Sequence, residues 1–150
     1  MTEPASIKGI PYDHYCILHS TAHVMATAIR RIWPEAKFVV GPPISKPFLG
    51  FYYDVDLPQA LNAEDLPRIA SEMEKIVRED VPFRKEVLPR GQALDVFRSC
   101  HQDYKLQLIE SKGLGGSEEG VEEDAVSVYR SADFVDLCKG PHVESTGKCR

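Results

Sequence analysis

Residues 14–33 read His-Tyr-Cys-Ile-Leu-His-Ser-Thr-Ala-His-Val-Met-Ala-Thr-Ala-Ile-Arg-Arg-Ile-Trp, and this stretch decides the fold. Leu18, Ala22, Met25, Ile29 and Ile32 recur at alternating steps of four and three, which gathers them on one side of an α-helix. Asp13 stands where an N-cap belongs, and Pro34 cannot continue a helix because it has no backbone N–H to donate. The spacing therefore predicts a helix from His14 to Trp33. A helix with one apolar stripe needs a surface to bury it against, and the residues that follow supply strands. Lys37 to Gly41 and Gly50 to Asp56 read as two strands, joined through Gly41-Pro42-Pro43 and Pro47. In the second, Phe51, Tyr53 and Val55 share a face opposite Tyr52, Asp54 and Asp56.

Further along, a second helix is expected from Leu66 to Arg78, capped by Asp65, with Pro67 tolerable in its first turn. Leu66, Ile69, Met73, Ile76 and Val77 form its stripe. Phe83 to Leu88 alternates as a strand, and Gly91 to Arg98 suits a short helix. Tyr104 to Ile109 alternates again and reads as a strand, with Lys105 and Gln107 opposite Tyr104, Leu106 and Leu108. Ser111 to Asp124, rich in Gly and Glu, suits a mobile surface loop, and Val126 to Tyr129 and Phe134 to Leu137 are short strands. The expected class is α+β: a largely antiparallel sheet with a long motif-bearing helix and further helices packed on it.

Composition narrows the function. The 150 residues are 43% hydrophobic and 27% charged, which fits a globular domain and not a disordered chain. No apolar run approaches the roughly 20 residues that span a bilayer, and Met1 to Ile10 has no long apolar stretch of a secretory signal. Cys16, Cys100, Cys138 and Cys149 are widely spaced without a CxxC pair, so free thiols in a reducing compartment, the cytoplasm, are expected. The net charge of −5 excludes a domain that grips nucleic acid by electrostatics alone.

Two constellations carry chemistry. His19 and His23 are four residues apart, so they lie on one helical face, on the flank of the apolar stripe. A flank position suits a ligand or a base, although two surface histidines on a helix border would give the same spacing. Cys138-Lys-Gly-Pro-His142 cannot be helical, because Gly140-Pro141 interrupts it, and so presents a thiol and an imidazole from a tight turn. Together the pairs offer three nitrogens and one sulfur, which could fill a tetrahedral zinc shell or leave one position to water.

His19-Ser-Thr-Ala-His23, Gly50-Phe-Tyr-Tyr-Asp-Val-Asp56 and Asp136-Leu-Cys-Lys-Gly-Pro-His-Val143 resemble the editing domain of bacterial-type and eukaryotic threonyl-tRNA synthetases, the second additional domain type. The resemblance runs from Ile17 to Val143. Relatives that edit alanyl-tRNA share the HxxxH and CxxxH pairs but typically place Gly-Thr before the final His, where this chain has Gly140-Pro141. The resemblance implies hydrolysis of serine wrongly esterified to threonine tRNA. Serine keeps threonine's hydroxyl and lacks one methyl, worth only about 1–3 kcal/mol of discrimination, so a second, hydrolytic sieve is needed.

Position by position, the resemblance makes His19, His23, Lys105, Asp136, Cys138 and His142 the catalytic set. Ester hydrolysis needs a base for water, a cation near the developing oxyanion and an acid for the departing ribose oxygen. His19 is the first choice of base, Lys105 would stabilise charge or position water, and Asp136 would orient a neighbour. Without the resemblance, a solvated strand lysine and a loop cap describe Lys105 and Asp136 as well. Tyr52, Tyr53 and Tyr104 could stack on the terminal adenine of the tRNA, or pack in the core. The threonyl branch implies no obligatory metal. Zinc on His19, His23, Cys138 and His142 belongs to the alternative, an alanyl-type zinc-dependent deacylase. A third class is a non-catalytic tRNA-interaction module.

The expected partners are the 3′ end of threonine tRNA carrying serine and the remainder of the synthetase, with no membrane. Residues 1–150 are expected to be one editing-type domain, cut short after the CxxxH turn and without a synthetic core. The two motifs should meet in one cleft, bordered by Lys105 and Asp136. Neither His19 nor Lys105 belongs to an apolar stripe, so Ala at either position should lower hydrolysis and leave the fold intact.

Overall fold

Lys8 and Gly9 both adopt positive φ, 52° and 79°, and reverse the chain between two short antiparallel strands, β1 (Ser6–Ile7) and β2 (Ile10–Pro11). The computed structural model describes residues 4–112 and 125–149. Pro11 then caps helix α1 (Tyr12–Ile32), two residues before the expected start, which moves Asp13 into the first turn, where a negative charge favours the helix dipole. The helix stops at Trp33, immediately before Pro34.

The two strands expected after α1 are broken into shorter pieces. β3 (Lys37–Phe38) pairs antiparallel with β6 (Val55–Asp56), and β4 (Pro43–Ile44) pairs with β5 (Gly50–Phe51). Val39 and Val40 are each still bonded through the backbone to Asp54, and regular pairing lapses at Gly41-Pro42, where Pro42 has no N–H to donate, before resuming at Pro43. The alternation persists all the same: Phe51, Tyr53 and Val55 are half-buried, while Tyr52, Asp54 and Asp56 are exposed. Gly41 is required at the crossing, because a Cβ there would lie 2.2 Å from the Tyr53 ring.

Helix α2 (Asp65–Glu79) opens with Asp65 as its first residue and Glu64 as its cap. The Asp65 carboxylate accepts the Asn62 N–H at 3.0 Å, and Asn62 Oδ1 accepts the Glu64 N–H, so the entry is closed by side chains just upstream. Ile69 and Ile76 point inward with Met73 and Val77, whereas Leu66 is exposed and off the stripe. Against α1 they form one core, with Val24, Ala28, Ile29, Phe38 and Phe134.

The second half is a three-stranded antiparallel sheet, β7 (Arg84–Pro89), β8 (Ala125–Ser131) and β9 (Phe134–Leu137), in that order. Helices α3 (Arg90–Ser99) and α4 (Asp103–Lys112) cover it, and a single turn of 3₁₀-helix at Thr146–Lys148 packs on α2. A second core lies between, with Ala93, Phe97, Ile109, Val126, Val128 and Leu137. The strand expected at Tyr104–Ile109 is therefore corrected to a helix. Lys105 and Ile109 are its buried residues, four apart, and buried Gln102 just before the helix continues that face three residues upstream. A six-residue polar–apolar alternation misplaced the face, because the inward position holds a lysine. Of the loop expected at 111–124, Ser111 and Lys112 close α4, and residues 113–124 lie outside the described residues. Helices thus lie on small antiparallel sheets, an α+β fold. No helix among the described residues is long and apolar enough to cross a membrane.

Candidate active site

Helix α1 and the segment leaving β9 build the site between them. The Cys138 N–H donates to the Ser127 carbonyl at 3.0 Å, and the Ser127 hydroxyl donates back to the Cys138 carbonyl at 2.7 Å. This pins the first residue of the turn to β8. Gly140 follows with φ 84°, and a Cβ there would stand 2.6 Å from the Tyr129 hydroxyl, so only glycine carries the chain past that ring. Pro141 and His142 are thereby brought back over α1.

The HxxxH and CxxxH pairs meet. Cys138 Sγ lies 3.3 Å from His19 Nε2 and 3.2 Å from His142 Nε2, and it also accepts the Gly140 N–H at 3.2 Å. His19 Nδ1 is 3.1 Å from the Pro141 carbonyl, and the His19 and His142 rings stack with centroids 4.3 Å apart. Ser20, between the motif histidines, reaches His142 Nδ1 at 2.9 Å and accepts the Val143 N–H at 2.8 Å. Burial pushes the Cys138 thiol up to about 12, reinforced by the Asp136 charge, so it is a neutral S–H at pH 7 and not a ready thiolate nucleophile. Burial likewise holds His19 below its ordinary value and His142 well below it.

His23 sits deeper than a stripe-flank position implies. It is 2% exposed, edge-on to Phe83 and Phe134, and neither ring nitrogen has a hydrogen-bond partner among the described residues. Burial lowers it to about 4, against the pull of Asp136, so it is neutral at pH 7 with an unclaimed lone pair.

Lys105 and Asp136 form the charged part. The ammonium donates to Asp136 Oδ1 at 2.7 Å, to the Val39 carbonyl at 2.6 Å and to the Tyr53 hydroxyl at 3.2 Å, which uses all three of its protons. Tyr53 in turn donates to Asp136 Oδ2 at 2.5 Å, and the Leu137 N–H donates to Oδ1 at 2.8 Å. Burial would raise the Asp136 carboxyl, but the Lys105 and His23 charges and the bonds from Lys105 and Tyr53 together take it below its ordinary value. Tyr53 moves the other way, well up, through burial and the Asp136 charge.

These groups border a cavity of about 250 Å³ between α1, α4, the Val40–Pro42 segment and the 138–142 turn. It is lined by His19, His23, Lys105, Asp136, Cys138 and His142, and by Tyr52 and Tyr53. Tyr104 is not among its walls; its hydroxyl donates to Asp56 at 2.8 Å on the exposed side of α4. Tyr52 is exposed at the mouth, whereas Tyr53 is committed to Asp136 and to an edge contact with Phe38. Sequence reasoning missed Ser20, although it stands inside the quoted motif, and Tyr129, whose ring shapes the turn without any spacing signal.

Among the described residues one cluster could cradle a metal. His19, Cys138 and His142 offer donor atoms within 4.8 Å of one another, and His23 is outside that group. A tetrahedral zinc would hold sulfur and nitrogen roughly 3.6 Å apart, given its usual bond lengths. The observed 3.2–3.3 Å separations are close to that, so the donor set and spacing fit zinc with three protein ligands as well as a metal-free hydrogen-bonded cluster.

Similar proteins bear on the family of the chain. Residues 126–150 match the family described as the threonyl and alanyl tRNA synthetase second additional domain. The chain is 45% identical over 130 residues to a threonine--tRNA ligase of Listeria monocytogenes serotype 4a (strain HCC23), covering 87% of this chain and 19% of that protein. It is 45% identical over 133 residues to that of Syntrophomonas wolfei subsp. wolfei, covering 88% of this chain and 19% of the relative. With the enzyme of Desulfovibrio desulfuricans it shares 42% over 151 residues, 96% of this chain and 22% of the relative. The chain thus spans about a fifth of the length of the curated relatives it matches.

Proposed function

Because this chain belongs to the second additional domain family of threonyl-tRNA synthetases, we propose that its cavity hydrolyses the ester of serine wrongly attached to threonine tRNA. The observation that carries this is the meeting of the two motifs, 119 residues apart at Cys138 and His19, beside a sealed Lys105–Asp136 pair. Of the three imidazoles, only His23 has ring nitrogens with no partner among the described residues; they are closed to solvent, so His23 is assigned as the base for a water that enters with the substrate through the cavity it lines. His19 is held at both nitrogens. Lys105 acts mainly by fixing Asp136 and Val39 and through its charge, since its three protons are already used. Discrimination against threonine has to come from steric exclusion of its extra methyl by the cavity wall, since attraction alone distinguishes one methyl weakly.

Exposed Tyr52 at the mouth suits stacking on the terminal adenine. With a net charge of −5, most of the grip on tRNA falls to the remainder of the synthetase, and the setting is the cytoplasm. Ligase chemistry is not proposed for these residues. A zinc ion, where bound, would be held by His19, Cys138 and His142 and would supply Lewis-acid polarisation, the alanyl-type alternative that their 4.8 Å clustering also fits.

The test is deacylation of seryl and threonyl esters on the same threonine tRNA, with and without chelator. Serine should be released about 10–200-fold faster, the range one methyl supports, and chelator should leave the rate unchanged. Equal rates would remove the editing assignment, and loss of activity with chelator would transfer it to the zinc-dependent class.

A further inference from the structure

We propose that Ser20 is a positioning residue: it sets the tautomer of His142 and thereby the direction of a hydrogen-bonded chain running Ser20, His142, Cys138, His19, Pro141. Ser20 is fully enclosed, at 0% exposure, and its oxygen contacts His142 Nδ1 and the Val143 N–H. A backbone N–H only donates, so the Val143 bond occupies a lone pair on Oγ. If His142 Nδ1 also carried a proton, Oγ would receive two, and the hydroxyl's own proton would face no other acceptor among the described residues. Buried donors are almost always satisfied, so the hydroxyl donates to Nδ1 and neutral His142 carries its proton on Nε2.

The rest of the chain follows without conflict. His142 Nε2–H points at Cys138 Sγ, 3.2 Å away. At the far end the Pro141 carbonyl only accepts, which places the His19 proton on Nδ1 and leaves Nε2 bare. That bare nitrogen is 3.3 Å from the same sulfur and receives the thiol proton. Each group then donates one proton and accepts another, and the Gly140 N–H adds a second donor to sulfur. Reversing His142 would put a bare Nε2 opposite the sulfur, where it would compete with His19 for the single thiol proton. Ser20 therefore keeps His19's basic nitrogen engaged and leaves His23 as the imidazole facing the cavity unclaimed. This kinetic consequence rests on the deacylase proposal; the tautomer does not.

Long-range ¹H–¹⁵N imidazole spectra of the chelator-treated chain test the tautomer directly. In the wild type His142 should be protonated on Nε2 and His19 on Nδ1. Ser20→Ala should move His142 to a mixture or to Nδ1–H while His19 stays as it was, and Ser20→Thr, which keeps the hydroxyl, should retain the wild-type pattern. His142 protonated on Nδ1 in the wild type would overturn the proposal, whatever the variants do, as would an unchanged His142 signal in folded Ser20→Ala. On seryl-tRNA, Ser20→Ala should lower kcat about tenfold with KM unchanged, the scale of one lost orienting hydrogen bond. The assigned tautomers in a chain that hydrolyses no ester would support the Ser20 assignment and sink the deacylase proposal instead.

Discussion

Replacing Lys105 by Met removes one charge from an ion pair sealed inside the protein. Lys105 and Asp136 are 2.7 Å apart, with side chains 3% and 9% exposed. The variant leaves a buried carboxylate held only by the Tyr53 hydroxyl and the Leu137 N–H, and it strips the Val39 carbonyl of its lysine donor. Removing one partner of a buried pair costs about 3–5 kcal/mol, against about 0–1 for an exposed pair such as Arg98–Asp95. With a urea m-value of about 2 kcal/mol/M for a chain of this size, the midpoint should fall by roughly 2 M. Urea unfolding monitored by the fluorescence of Trp33, the single tryptophan, measures it. The double variant Lys105→Met/Asp136→Leu, which removes the orphaned charge, should recover about half of the summed losses. Acid should narrow the Lys105→Met deficit. Without the lysine, burial dominates Asp136 and lifts its folded pKa above the unfolded value, so the folded state gains stability as pH falls. A deficit below about 1 kcal/mol at pH 7.5, or one that does not change on acidification, would refute the sealed-pair account. The expectation that Ala at Lys105 leaves the fold largely intact rested on its lying outside an apolar stripe, whereas helix α4 turns that residue inward into an ion pair.

Three other outcomes are expected. His23 folds with a pKa of about 4 against 6.5 unfolded, so the unfolded chain binds the extra proton between those values; stability of the chelator-treated chain should fall by about 3 kcal/mol on acidification through that window, and His23→Phe should flatten this part of the pH–stability curve. Gly140→Ala should cost about 2–4 kcal/mol by thermal melting, from positive φ and the Tyr129 contact, and Tyr129→Phe should recover only part because ring carbons still lie at 3.1 Å. Thiol titration at pH 8 should label half-buried Cys100 first and Cys16, Cys138 and Cys149 only on unfolding; fast native labelling of Cys138 would contradict its burial and raised pKa.

The sequence carried α1 well because its stripe repeats over about four turns, more than local capping can disguise; only the cap moved, from Asp13 to Pro11. β9 was legible to the residue, since Phe134–Leu137 is bounded by Ala132, at positive φ, and by the Cys138 turn. Helix α4 was not, because a six-residue alternation satisfies either period and a charged residue on the inner face inverted the assignment. Two long strands became four short ones because the chain breaks its ladder at Gly41-Pro42, where Pro42 withholds a donor and Gly41 passes close to the Tyr53 ring. The motif residues could be named from their pattern, but their contacts could not. That Tyr53 serves Asp136, and that Ser20 touches His142 across 122 residues, depends on tertiary placement with no local signal.

Single-turnover hydrolysis of seryl-tRNA by the chelator-treated chain, as wild type and as His23→Asn, tests the central claim most directly. The account predicts cleavage well above the spontaneous rate in the wild type and a loss of about 10²-fold in the variant, the scale of one general base. A wild type no faster than spontaneous hydrolysis, or a His23→Asn chain as fast as the wild type, would contradict it.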